Sequence, residues 1–179
     1  MGSLPELVGQ DKPRKPFSMI TASRLAQEKH IDWLVRAVIE FIRPCQISLL
    51  ISTVVVVWSK LREIIVEAQA GDYIRLMGHA DLTDIYSQYE VYLTASTSEG
   101  FGLTLMEAVG SGLPMIGFDV PYGNQTFIQD GANGYLSLSL KITSWMLSPS
   151  PIRMPLYVSM KKVISKPCVK NLMNLPKAS

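Results

Sequence analysis

The amino-acid sequence predicts an α/β domain built on a parallel sheet covered by helices. Short apolar, β-branched runs alternate along the chain with helix-periodic ones, the pattern of strands joined by crossover helices. A length of 179 residues suits one domain. A composition that is 47% hydrophobic and 18% charged excludes a disordered chain, and no collagen or heptad period appears.

The elements follow in order. After a lead rich in proline and lysine, Phe17 to Leu25 has the apolar and β-branched residues of a short buried strand. From His30 to Phe41, the residues Ile31, Leu34, Val35, Val38 and Ile39 fall on one stripe at helical spacing. Lys60 to Gly71 reads as a second helix, ended by a glycine able to take the left-handed cap. Tyr73 to His79 reads as a strand, Asp81 to Tyr89 as a helix opened by an aspartate cap, and Tyr89 to Thr97 as another strand. A short helix from Thr104 to Gly112 with a glycine stop leads into a strand from Leu113 to Val120. Ligands of such sheets bind where the carboxyl ends of the strands meet the loops. The loops of interest are therefore 23–29, 77–81, 96–104 and 121–125.

Composition narrows the function classes further. The apolar run Val54 to Trp58 is far too short to cross a bilayer, and the first residues lack the basic-then-apolar pattern of a secretory signal. Met1-Gly2-Ser3 opens like a myristoylation signal, but Glu6 stands where Ser or Thr is required. With two cysteines, Cys45 and Cys168, neither a disulfide framework nor a structural zinc site is expected, and a cytoplasmic protein is. The net charge is +2, yet no acid follows Asp130, and seven Lys or Arg lie between Ser137 and the end. A basic tail suits nucleic acid or anionic lipid. Five prolines break this one, and it reads instead as a poorly ordered tail, with no nucleic-acid partner expected. A second acid-free stretch runs from Phe41 to Trp58.

Two constellations carry chemistry. In the loop 96–104, Gly100 and Gly102 flank Phe101 directly before a helix, so the backbone N–H groups of Leu103 and Thr104 can face an anion. Glu99 precedes this turn and Glu107 follows it on the helix, so one carboxylate can hold a sugar and the other a ribose, with a diphosphate between. Taken singly, the glycines also suit a mere turn and Glu107 a solvated helix face. In the loop 23–29, Arg24 ends a strand and Lys29 lies five residues on, before a helix start. Two cations there suit a pyrophosphate, though either alone suits surface charge. His79 stands at a strand end, as a satisfied loop histidine or beside a flat base. No dinucleotide fingerprint, phosphate-binding Walker loop or metal-ligand cluster is present in the sequence.

The spacing R-x4-K from Arg24 to Lys29, with E-x7-E from Glu99 to Glu107, resembles the carboxyl-terminal half of retaining GT-B glycosyltransferases of family 4 (group 1). The runs 23–40 and 86–108 resemble more narrowly the accessory-secretion peptide N-acetylglucosaminyltransferase A subunits, over roughly Lys15 to Leu136 with one gap. The resemblance implies a Rossmann-like fold and retaining transfer of N-acetylglucosamine from UDP-N-acetylglucosamine to Ser and Thr of serine-rich repeat adhesins. It implies catalytic roles for Arg24, Lys29 and Glu99, the two cations on the UDP diphosphate. Glu99 with Gly100, Phe101 and Gly102 would contact the donor sugar. Leu103 and Thr104 amides would join the diphosphate, Glu107 would hold the ribose, and His79 and Ala80 would line the nucleotide. It implies no cofactor and no metal, a B-type stabilising subunit, and peripheral membrane association of the intact complex. Breaking the sugar–phosphate bond leaves charge on UDP, which fixed cations and a helix N-terminus can stabilise.

Against that resemblance, residues 1–16 read as a linker remnant and 17–136 as the donor-nucleotide domain. After Glu40 the family has a strand and a glycine loop, where this chain has the apolar segment 41–58. A local reading-frame slip accounts for it, since a one-base displacement with permitted codons spells the glycine loop. The same displacement from about Ser137 spells an acidic helical tail in place of the basic 137–179. Such a chain is expected to fold marginally and to be inactive alone. The segment 41–58 remains strongly β-forming and is expected to fill the strand position, at some aggregation risk if exposed.

Overall fold

The computed structural model describes residues 13–16, 18–24, 26–42, 48–53 and 59–137. The start of the expected linker (1–12), most of the basic tail (138–179) and parts of the 41–58 segment (43–47 and 54–58) lie outside the described residues, as do residues 17 and 25.

The first strand, β1 (Ser18–Ser23), is buried from Ser18 to Ala22. Its side chains alternate: Met19 joins one apolar cluster, while Ile20 and Ala22 join another. That is the two-residue period of a pleated strand with both faces covered, and it requires a central position. The partners are β2 (Ser48–Thr53), β3 (Ile74–Gly78), β4 (Val91–Leu93), β5 (Met115–Phe118) and β6 (Gly134–Ser137). They form one sheet in the order β3-β2-β1-β4-β5-β6, parallel throughout. The same alternation recurs in β4, where Val91 and Leu93 face the first cluster and Tyr92 the second.

Helices α1 (Ile31–Ile42) and α2 (Ser59–Glu67) cover the first face. The apolar stripe read from the sequence is what they bury: Ile31, Leu34, Val35 and Val38 from α1, and Leu61, Ile64 and Ile65 from α2. The second face is covered by Leu105 and Ala108 of α3 (Leu103–Gly110), by Leu82, Tyr86 and Tyr89, and by Ile128 beyond α4 (Gly123–Phe127). The chain builds outward from β1 to β3, then returns to lay β4 on the other side of β1. Loops leaving β1 and β4 therefore diverge at the carboxyl edge and leave a crevice between them.

The structure differs from the sequence expectations in three places and keeps to them in the apolar segment. Gly71 does not make the left-handed turn that ends α2; Gln69 does, with φ 53°. The Ala70 N–H bonds back to the Ile65 carbonyl at 2.8 Å, and burial of Ala70 in the first core fixes the turn two residues earlier. Asp81 accepts hydrogen bonds from the Thr83 N–H and hydroxyl, yet no α-helix follows it. Tight turns and a three-residue 3-10 segment, Tyr86–Gln88, bury Leu82, Tyr86 and Tyr89 instead. Turns bury these same side chains against the sheet, and that burial overrides the local helix preference. Helix α4 and strand β6 were not foreseen, because residues 121–137 have glycine-rich, turn-like chemistry. The apolar segment does supply a strand: β2 pairs in register with β1 along Ser18↔Ser48 to Ser23↔Thr53.

Strand β6 docks through a glycine. Gly134 is paired with Met115, and a Cβ there would drive into the Met115 backbone carbonyl and stand 3.0 Å from Ile128. Gly134→Ala is expected to destabilise the domain by about 3 kcal/mol in urea unfolding, as overpacking against backbone that cannot yield. A change below about 0.5 kcal/mol, the range of neutral surface substitutions, would show that β6 is not seated as described.

Candidate functional site

The crevice at the carboxyl edge is laced shut at its base. Lys29 closes the 3-10 turn Gln27–Lys29 after β1, and its Nζ lies 2.8 Å from Glu99 Oε1 in the loop after β4. Both side chains are nearly buried, at 11% and 12% exposure. Lys29 also donates to the Ser96 hydroxyl at 3.2 Å and the Ser98 carbonyl at 3.1 Å. The Thr97 N–H reaches the Glu28 carbonyl at 2.9 Å, so the two loops are joined by backbone as well as by charge. One residue on, His30 Nε2 lies 3.1 Å from the Thr97 hydroxyl, and its ring stacks on Trp33 with centroids 3.7 Å apart. Burial under that stack lowers the His30 pKa, against the opposing pull of Asp32 and Glu28.

Glu99 is held from its other side by the loop after β5. It forms a lone parallel bridge with Tyr122, and a Cβ on Gly123 would stand 2.7 Å from the Glu99 Cβ. Only a glycine permits that approach. Tyr122 itself sits at φ 64° with its side chain exposed. Gly102, at φ 76°, caps α3, and a side chain there would collide with Leu105 Cδ1 at 2.9 Å. The helix so started leaves the first-turn N–H groups of Leu103 and Thr104 without intrahelical acceptors.

Beside this lacing lies a pocket of about 280 Å³. Arg24, His79, Ala80, Thr104 and Glu107, all singled out from sequence, are among its lining residues, with Ser23, Asp81 and Tyr86. Arg24 is 71% exposed and its guanidinium stands 4.0 Å from Glu28, a pair weak enough to leave it available to a ligand. Lys29 and Glu99 do not line the pocket; they pair with each other in the loops that adjoin it. Gly100, Phe101, Gly102 and Leu103 form the approach to α3 outside the lining, with Phe101 exposed and edge-on to Phe127.

The sequence reading missed two tyrosines, Tyr86 in the pocket lining and the buried Tyr92. Tyr86 donates its phenol hydrogen to Glu107 Oε2 at 3.0 Å. Tyr92 donates to the Ala22 carbonyl at 2.9 Å, and its hydroxyl lies 3.0 Å from that of Thr104. Burial raises both phenol pKa values far above the ordinary range, so both remain protonated donors. Nothing in the local pattern marks them as different from core aromatics. Among the described residues no group of three His, Cys, Asp or Glu side chains is placed to hold a metal ion.

Comparison with known proteins gives the family and the fold. The family model for glycosyl transferases group 1 matches residues 16–142. A curated relative, the UDP-N-acetylglucosamine–peptide N-acetylglucosaminyltransferase GtfA subunit of Streptococcus pneumoniae serotype 4, is 67% identical over 137 residues. That alignment covers 76% of this chain and 27% of the relative, so the chain spans about a quarter of that protein. The crystal structure of the pneumococcal O-GlcNAc transferase GtfA in complex with UDP and GlcNAc superposes with a TM-score of 0.72 at 51% identity, covering 96% of this chain and 37% of that one. The GtfA/B complex superposes with a TM-score of 0.76 at 53% identity, over 98% and 33% of the two chains.

The buried pair behaves as a unit if the lacing is as described. Glu99→Gln, which strands the Lys29 charge, is expected to lower stability by about 3 kcal/mol in urea unfolding, and adding Lys29→Met is expected to recover much of the loss. Strictly additive losses would contradict the pairing.

Proposed function

This chain belongs to the group 1 glycosyl transferases, and from that premise we propose that it forms the donor-nucleotide half of a peptide N-acetylglucosaminyltransferase. The donor would be UDP-N-acetylglucosamine, and the sugar would pass with retention to Ser and Thr hydroxyls of a serine-rich adhesin. The observation that carries this is the crevice where strand order reverses. Its pocket gathers Arg24, Thr104 at a helix start and Glu107, with the Lys29–Glu99 pair in the adjoining loops, on a chain 67% identical over 137 residues to a peptide N-acetylglucosaminyltransferase subunit.

In this reading the uracil lies along His79 and Ala80, and the ribose hydroxyls meet Glu107. The diphosphate lies between Arg24, Lys29 and the N–H groups of Leu103 and Thr104. Glu99, Gly100, Phe101 and Gly102 face the sugar. As the sugar leaves, negative charge grows on the β-phosphate, which Lys29 and the helix amides would stabilise. The charge is met by the chain's own groups, and no step is assigned to a metal or cofactor. Lys29 is paired with Glu99, so donor binding would exchange one anion for another at its ammonium.

The remaining length of the relatives supplies the context of the proposal. Transfer to the acceptor would need a second half over the donor, which makes this stretch alone a donor-binding unit without turnover. A B-type subunit is proposed as partner, since the neighbouring solved assembly is a GtfA/B complex. Among the described residues no helix is long and apolar enough to cross a membrane. The reading places the working assembly in the cytoplasm, with peripheral attachment to the membrane.

Isothermal titration tests the site. UDP is expected to bind the chain, and Glu107→Ala or Lys29→Ala to weaken it by about tenfold or more in folded samples, the loss of one charge-assisted hydrogen bond. Unchanged affinity in both variants would overturn the assignment.

A further inference from the structure

We infer that Tyr86 is a positioning residue that presents Glu107 to the ribose; this rests on the donor-site reading above. Glu107 sits on the exposed side of α3, where a glutamate side chain ordinarily samples several rotamers in water. Here one of its oxygens, Oε2, accepts the Tyr86 phenol hydrogen at 3.0 Å. The phenol is a firm anchor. Tyr86 is 1% exposed, packed in the core with Leu82, Tyr89 and Tyr92, its ring centroid 6.1 Å from that of Tyr92. Tyr86 and Glu107 both line the pocket that also holds Ala80 and Arg24. With Oε2 held by the phenol, Oε1 is the oxygen that would accept from a ribose hydroxyl in the pocket.

A neighbouring tether has the same design. Tyr92, fully buried, ties the Ala22 carbonyl at the end of β1 to the Thr104 hydroxyl in the first turn of α3. The start of α3 is thus fixed relative to β1, and Glu107, one turn further on, is fixed by Tyr86. The turn-rich packing of residues 81–89 acquires a purpose: it delivers the phenol of Tyr86 under Glu107, in place of the helix the sequence suggests.

The test compares UDP with 2′,3′-dideoxy-UDP on the full chain by isothermal titration, for the native protein, Tyr86→Phe, Glu107→Ala and the double variant, each with a thermal melt. The native protein is expected to prefer UDP. Tyr86→Phe is expected to bind UDP roughly fivefold more weakly and dideoxy-UDP unchanged, since only the ribose contact loses its orientation. In the Glu107→Ala background, Tyr86→Phe is expected to add nothing. Equal weakening of both nucleotides, a collapse of the melting temperature, or a full further loss in the double variant would each overturn the positioning role and leave the donor site standing. A native protein that binds UDP and dideoxy-UDP alike, or neither, would overturn the ribose assignment itself and the role of Tyr86 with it.

Discussion

The ion pair between Lys29 and Glu99 is the interaction on which the site depends. It lies where the order of the parallel strands reverses, between the loops that leave β1 and β4. Parallel strands send all their carboxyl ends to one edge, so the loops there have no ladder to bind them together. A buried lysine and glutamate close that gap, helped by Ser96, Ser98 and the Thr97–Glu28 backbone bond. Two charges at 11% and 12% exposure are tolerable only because each neutralises the other and Lys29 is further hydrogen-bonded. In the proposed donor site the same two groups would take hold of an anion and a sugar.

Lys29 and Glu99 satisfy each other inside the protein, while Arg24 is exposed. In the proposed donor site a diphosphate would give Lys29 a second anion to serve, and Glu99 would be released to accept from hydroxyl groups. Strain around Glu99 is borne by its neighbours: Gly123 gives up a side chain to let it approach, and Tyr122 holds a positive φ. The pocket residues Thr104 and Glu107 stand on a rigid part, a helix tied to β1 and to the core by two buried phenols.

Much of this was legible in the sequence, for identifiable reasons. Helix α1 announced itself through a five-residue apolar stripe, and β1 through dense β-branched and apolar residues. Arg24, His79, Thr104 and Glu107 could be named from their places at strand ends and a helix start, and Ala80 from the family resemblance; the structure gathers them round one pocket. The pairing of Lys29 with Glu99 was not legible, because it joins residues 70 positions apart through strand order alone. Tyr86 and Tyr92 looked like any core aromatic until their hydroxyl partners were known. Gln69 in place of Gly71, and turns in place of a helix at 81–89, reflect burial of Ala70, Leu82 and Tyr86 overriding local preference. The apolar segment after Glu40 shows the converse: a strongly β-forming run fills a slot between β1 and β3 that asks only for an extended, apolar strand.

The most direct test is a crystal structure of the chain with UDP. The account predicts the diphosphate within hydrogen-bond distance of Lys29 Nζ and the Thr104 N–H, the ribose on Glu107 Oε1, and Lys29 drawn away from Glu99. UDP bound elsewhere, or bound in the crevice with the Lys29–Glu99 pair intact and no cation on the diphosphate, would contradict it.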